Sequence, residues 1–181
     1  MPPADSDHID RIVEQWRRER PDLDMSAMAL MGRLFRVVHL ADERLAAPLA
    51  EHGLQRGWFD LLAALRRAGP PFELNPTELM RATMLSSGGM TKRLDRLEAA
   101  GLIVRRADPD DRRGTRVRLT RRGKARIDRA LERHVANEER LLRRLSAEQR
   151  RALDELLRAL LADLDPEPDV SARSASPTRP V

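Results

Sequence analysis

Asn75-Pro76-Thr77-Glu78-Leu79, then Met90-Thr91-Lys92-Arg93-Leu94-Asp95-Arg96-Leu97-Glu98-Ala99-Ala100-Gly101-Leu102-Ile103, then Asp108-Pro109-Asp110-Asp111-Arg112-Arg113-Gly114 leading to Leu119-Thr120: the reading of this stretch decides the fold. Asn75 suits a helix cap, Pro76 the first helical position, and Glu78 the third, where its side chain can reach back to the cap. The spacing predicts a short helix to about Thr83, a turn through Met84-Leu85-Ser86-Ser87, and a second helix to about Ala100 closed by Gly101. Two short helices joined by a tight turn make a helix-turn-helix. The period then changes. Residues 102–106 and 115–119 are β-compatible, the second alternating, and 107–114 between them is a charged, turn-forming connection. That is a hairpin with a basic tip, a wing.

Working outward, the rest reads as helix. A first helix over about 7–20 places Ile9, Ile12, Val13 and Trp16 on one stripe, and Pro21 ends it. A long helix over 26–51 turns Leu30, Leu34, Val37, Val38, Ala41 and Leu45 inward. A third, about 55–68, carries Trp58, Leu61, Leu62 and Leu65, and Gly69-Pro70-Pro71 terminates it. Thr120 caps a helix to about 145. Ser146-Ala147-Glu148-Gln149 is a capping box opening a last helix with Leu153, Leu156, Leu157, Leu160, Leu161 and Leu164 as a continuous stripe. Four prolines among polar residues in 165–181 predict a disordered tail. Aromatics are only 3% of the 181 residues, so the core is aliphatic, which favours packed helices over a sheet sandwich.

Charge is concentrated in the same stretch. From Ser86 to Arg122 there are eleven Lys/Arg against five Asp/Glu, a net +6 where the whole chain has +5. A local basic patch is the footprint of phosphate neutralisation. In the second helix of the pair, Met90, Leu94 and Leu97 form the inward stripe, with Lys92, Asp95, Arg96 and Ala99 opposite. Ser86, Ser87, Gly88 and Thr91 are small enough to let the helix start approach a duplex, where Thr91, Lys92 and Arg96 can reach base edges or phosphates. Arg112 and Arg113 at a narrow loop tip suit the negative potential of a minor groove. Asp110 and Asp111 can pair with an arginine to shape the wing, or serve only as turn formers. The alternative for the helix is an ordinary charged surface.

Other classes recede. Cysteine is absent, which removes disulfides and thiolate ligands. No apolar run nears the roughly 18 residues of a membrane span, and the acidic start lacks a signal-peptide pattern; a cytoplasmic protein is expected. His8, His39, His52 and His134 stand far apart, and no nucleophile, phosphate-loop or metal spacing occurs. Neither catalysis nor a cofactor is expected.

The quoted motifs, together with the helix order over most of 25–164, resemble the MarR family. The resemblance implies a mainly α fold: a winged helix-turn-helix with long dimerisation helices and one small β-hairpin wing. It divides the chain into an N-terminal extension (1–24), a dimerisation region (25–52 and 121–164), a DNA-binding lobe (53–120) and the tail (165–181). It further implies a homodimer on an inverted DNA repeat, commonly a repressor. The helix ahead of the usual first one is similar to the urate-responsive branch, whose members bind a small anionic ligand between dimer scaffold and lobe. The branch's marker residues match Trp16, Asp60, Arg93 and Arg105 here. Each has another reading: Trp16 as core, Asp60 as a solvated or dipole-favouring carboxylate, Arg93 and Arg105 as phosphate contacts. A winged-helix protein that binds another protein, and a DNA binder with no effector, stay open on residues alone.

Overall fold

The computed structural model describes residues 6–83, 89–109, 111 and 114–165. In chain order these form α1 (His8–Glu19), α2 (Ser26–Glu51), α3 (Arg56–Arg67), β1 (Glu73–Leu74), α4 (Pro76–Arg81), α5 (Met90–Ala99), β2 (Ile103–Ala107), β3 (Thr115–Leu119), α6 (Arg121–Leu142) and α7 (Ala147–Leu164). The chain divides into two units, 1–138 and 139–181.

In the first unit the core lies under the winged lobe. Leu61, Leu62 and Leu65 of α3, Leu79 of α4, Leu94 and Leu97 of α5, and Val117 of β3 are buried together, with Leu102, Ile103 and Ile127 closing the cluster. The three strands form an antiparallel sheet in the order β1-β3-β2, with Ile103 opposite Leu119 and Ala107 opposite Thr115. The α6 start is fastened to this sheet. Thr120 Oγ1 donates to the Gly101 carbonyl at 2.8 Å and accepts from Gly123 N–H at 2.9 Å, while Thr120 N–H donates to the Leu102 carbonyl at 3.1 Å. Gly123 is required there because a Cβ would overlap the Leu102 carbonyl oxygen.

The first helix is capped by Asp7 and Asp10 in a reciprocal capping box and held to α2 by Arg33, which bonds Asp7 at 2.8 Å and also Asp10. That arginine holds the Asp7 carboxyl below the ordinary aspartate value. Ile9 packs over Gly32, where a Cβ would come within 3.2 Å of its side chain. Farther along, Asn137 of α6 donates to the Arg44 carbonyl at 2.9 Å. In the second unit α7 opens on the expected capping box, Ser146 with Gln149, and Arg150 grips Glu139 at 2.6 Å.

The expected β2–β3 hairpin is present, and β1 extends it to a three-stranded sheet by pairing Glu73 and Leu74 with Arg118 and Val117; two residues are too few to show a period. Three other expectations, each about a helix stripe, need correction. The inward stripe assigned to α2 is only partly covered by the described residues: Leu30 is 64% exposed and Val37 and Val38 are also exposed, Leu34, Ala41 and Leu45 are half-buried, and only Leu49 of that helix is buried. On α1 only Val13 is buried, and Trp16 is 44% exposed. On α3 the buried face includes Phe59 and Ala64, with Trp58 only partly covered. In each case periodicity marks an apolar side and says nothing about what lies against it. The second helix of the pair begins at Met90, and α6 ends at Leu142.

Candidate nucleic-acid interface

The α4–α5 pair is built as its residues dictate. Asn75 accepts from Glu78 N–H at 2.8 Å, and Glu78 returns the bond to Asn75 N–H at 2.8 Å. Met90, Leu94 and Leu97 anchor α5 from within, leaving Thr91, Lys92, Asp95 and Arg96 on its exposed side. Gly89 caps α5 with φ of 83°, a left-handed geometry that suits glycine. The Arg93 guanidinium lies over this start, 3.5 Å from where a Gly89 Cβ would stand. Ser86, Ser87, Gly88, Asp110, Arg112 and Arg113 lie outside the described residues.

Two arginines of the sheet do more than the sequence suggested. Arg105 on β2 reaches back to α5. Its backbone N–H and Nε donate to the two Glu98 oxygens at 2.8 and 2.9 Å, and its remaining arm bonds Asp95. The hydrogen bond that Arg105 donates to Asp95 raises its pKa above the ordinary arginine value. Arg105 therefore stands as a strut between the wing strand and the second helix of the pair. Arg116 on β3 pairs with Asp108 at 2.7 Å and with Glu78 at 3.7 Å. Sequence reasoning assigned wing shaping to Asp110 and Asp111 and missed Asp108, whose signal was its place at the strand–loop junction. Asp111 contributes its backbone carbonyl, which accepts from Gly114 N–H at 2.8 Å.

The four residues matched to a ligand site lie on four elements: Trp16 on α1, Asp60 on α3, Arg93 on α5 and Arg105 on β2. Burial pushes the Asp60 carboxyl above its ordinary value, against the opposing pull of Arg56, His134 and Arg67, while Asp42 adds to the rise. Arg56 is itself paired with Asp42. The His134 ring lies against Phe59, the neighbour of Asp60, with centroids 4.4 Å apart and the planes tilted by 42°; its Nε2 meets Glu138 at 3.2 Å, and its buried Nδ1 has no hydrogen-bond partner among the described residues. The structure thus brings Asp60 beside His134, and Arg105 beside Asp95 and Glu98. Sequence spacing could not have found His134, which is remote in the chain. Among the described residues no His/Cys/Asp/Glu group could hold a metal ion, and no helix is long and apolar enough to cross a membrane.

A helix pair with an exposed Thr91/Lys92/Arg96 face, backed by a buried stripe and flanked by a small antiparallel sheet, is the winged helix-turn-helix of DNA-binding regulators. A sequence model of the MarR family matches residues 52–114. The chain is 42% identical over 149 residues to the HTH-type transcriptional regulator PecS of Dickeya dadantii, covering 82% of this chain and 90% of that one. It is 32% identical over 136 residues to the multiple antibiotic resistance protein MarR of Salmonella typhimurium, covering 72% and 90%. Among solved structures, Sco3205, a MarR family transcriptional regulator from Streptomyces coelicolor in complex with DNA, superposes with a TM-score of 0.73 at 25% identity, covering 80% of this chain and 91% of that one. A mutant Escherichia coli MarR complexed with operator DNA gives 0.66 at 28%, covering 76% and 97%. The chain belongs to the MarR family and is a DNA-binding transcriptional regulator, not an enzyme.

Proposed function

We propose that this regulator is a cytoplasmic, nucleoid-bound homodimeric repressor that reads an inverted repeat and is released from it by a small anionic or aromatic ligand, urate or a related organic acid. The observation that carries the DNA half is the exposed Thr91/Lys92/Arg96 face of α5 over its buried stripe. The DNA-bound states of Sco3205 and the Escherichia coli MarR mutant support it. Ser86, Ser87 and Gly88 complete the approach to the major groove, Arg112 and Arg113 enter the minor groove, and Asp110 and Asp111 shape the wing. The dimer half rests on large apolar side chains left exposed on α2 and, separately, on α7: so many exposed along one helix suit burial against a partner. Residues 25–52 and 121–164 form the dimerisation region, 53–120 the DNA-binding lobe, 1–24 an added helix, and 165–181 a tail.

The ligand half rests on the added helix α1 and on Trp16, Asp60, Arg93 and Arg105 as ligand-binding residues. An anion drawn to Arg93 acts on the recognition helix itself, and Arg105 is already tied to that helix through Asp95 and Glu98. Ligand acts only through a difference in affinity between free and DNA-bound forms, and DNA weakens ligand binding by the same factor, typically about 5–150-fold. A gel shift on a palindrome with half-sites about 10 bp apart, run with and without urate, xanthine and citrate at millimolar levels, tests both halves. Loss of the shifted band with ligand supports the full reading. Binding that no anion alters leaves a DNA binder without an effector of this class, and no preference for the palindrome removes the dimeric reading.

A further inference from the structure

The junction between wing and helix pair contains a carboxylate that the DNA-contact reading does not use. Asp108, just past β2, has a side chain only 8% exposed, and Arg116 Nε donates to it at 2.7 Å. A carboxylate so far out of water persists as an ion only with a partner. The same guanidinium stands 3.7 Å from Glu78, the residue that closes the capping box of α4. One arginine therefore ties the wing loop to the first helix of the helix-turn-helix.

The surrounding backbone leaves little slack. Asp108 N–H donates to the Gly114 carbonyl at 3.0 Å, closing the loop. A Cβ on Gly114 would come within 2.8 Å of the Asp108 Cβ. Across the hairpin, Arg116 is directly opposite Arg106, a like-charge pairing that disfavours the ladder unless it is offset. Asp108 and Glu78 supply the offset on the Arg116 side.

We propose that Arg116, with Asp108 and Glu78, is a positioning residue for DNA binding: it sets the angle of the wing against α4, and so where the wing's arginines meet the duplex. The inference rests on the reading of the wing as a DNA contact.

The test exploits a conflict of signs. Asp108→Asn raises the net charge by one, so bulk electrostatics predicts tighter DNA binding. A loosened strut predicts the opposite. Affinity and its salt dependence are measured for the full-length protein, on a DNA site selected with the wild type, in wild type, Asp108→Asn, Arg116→Gln, Arg113→Ala and the Asp108→Asn/Arg113→Ala pair. The expected result is about tenfold weaker binding for Asp108→Asn and Arg116→Gln, a salt slope shallower by about one, and little further loss when Asp108→Asn is added to Arg113→Ala. A poorly folded variant lowers the active fraction and leaves the slope unchanged, so the slope separates misfolding from misplacement. Asp108→Asn with wild-type or tighter binding and an unchanged slope, beside a weakened Arg113→Ala, overturns the inference alone. So does full additivity of the pair. Arg113→Ala with wild-type affinity and slope overturns the wing reading and this inference with it.

Discussion

Helices α3 and α7 carry the same kind of leucine stripe and meet opposite fates. On α3, Leu61, Leu62 and Leu65 have essentially no exposed surface. On α7, no residue is buried, and its stripe leucines range from 36% exposed at Leu157 to 78% at Leu164. The difference lies in the neighbours. Helix α3 has β3, α4 and α5 of its own unit against it, while in the second unit the described elements are α7 and the end of α6. An apolar stripe announces that something must cover it. It does not announce whether the cover is the same chain or a second one.

The comparison is sharpened most by Leu62→Ala. Removing a fully buried leucine costs about 2–5 kcal/mol, and the shift in urea midpoint is expected to be the same at every protein concentration. A concentration-dependent loss would break the contrast, since it would make the lobe core part of the association. Next comes Gly123→Ala, where the new methyl meets the Leu102 carbonyl and forces α6 off the sheet. A loss of about 3 kcal/mol is expected in the same measurement, and a neutral result would show that the α6–sheet junction yields freely.

The α7 side of the contrast calls for a paired variant, Leu157→Ala with Leu161→Ala. Each leucine buried by association contributes about 1.5–3 kcal/mol relative to exposure, so sedimentation is expected to move from dimer toward monomer at low micromolar concentration. Thermal midpoints of the wild type are expected to rise with protein concentration and those of the variant to begin lower. An unchanged sedimentation profile would place the dimer contact elsewhere.

The smallest effect concerns Asp60. Its carboxyl is held above the ordinary aspartate value, chiefly by burial. The native state therefore keeps a proton over a pH window in which the unfolded chain has lost it. The stability owed to that proton is present below the ordinary value and lost as pH climbs through the raised one. Asp60→Asn is expected to stabilise the protein at neutral pH by less than about 1 kcal/mol, partial exposure screening the effect, and to lose this advantage in acid. Equal or lower stability at neutral pH would mean that Arg56, His134 and Arg67 outweigh the burial.

The residues alone carried local signals to their conclusion. The capping boxes at Asn75/Glu78 and Ser146/Gln149, the buried Met90/Leu94/Leu97 stripe and the paired wing strands are all legible because each is settled by neighbours a few positions away. So is the exposed Thr91/Lys92/Arg96 face, which follows from a 3.6-residue period. What only the tertiary structure decided are relations between distant positions. The β1 pairing at Glu73 and Leu74 depends on β3, more than forty residues later. Arg105 bonds across to α5, Arg116 joins Asp108 to Glu78, and His134 comes beside Phe59 and Asp60 from the far side of the chain. An arginine in an alternating strand reads the same whether it faces phosphate or a buried carboxylate, because the period fixes its side of the strand and not its partner. The covering of the apolar stripes is decided at the same level: burial is a property of what packs against a face, and the composition of that face is identical with or without it.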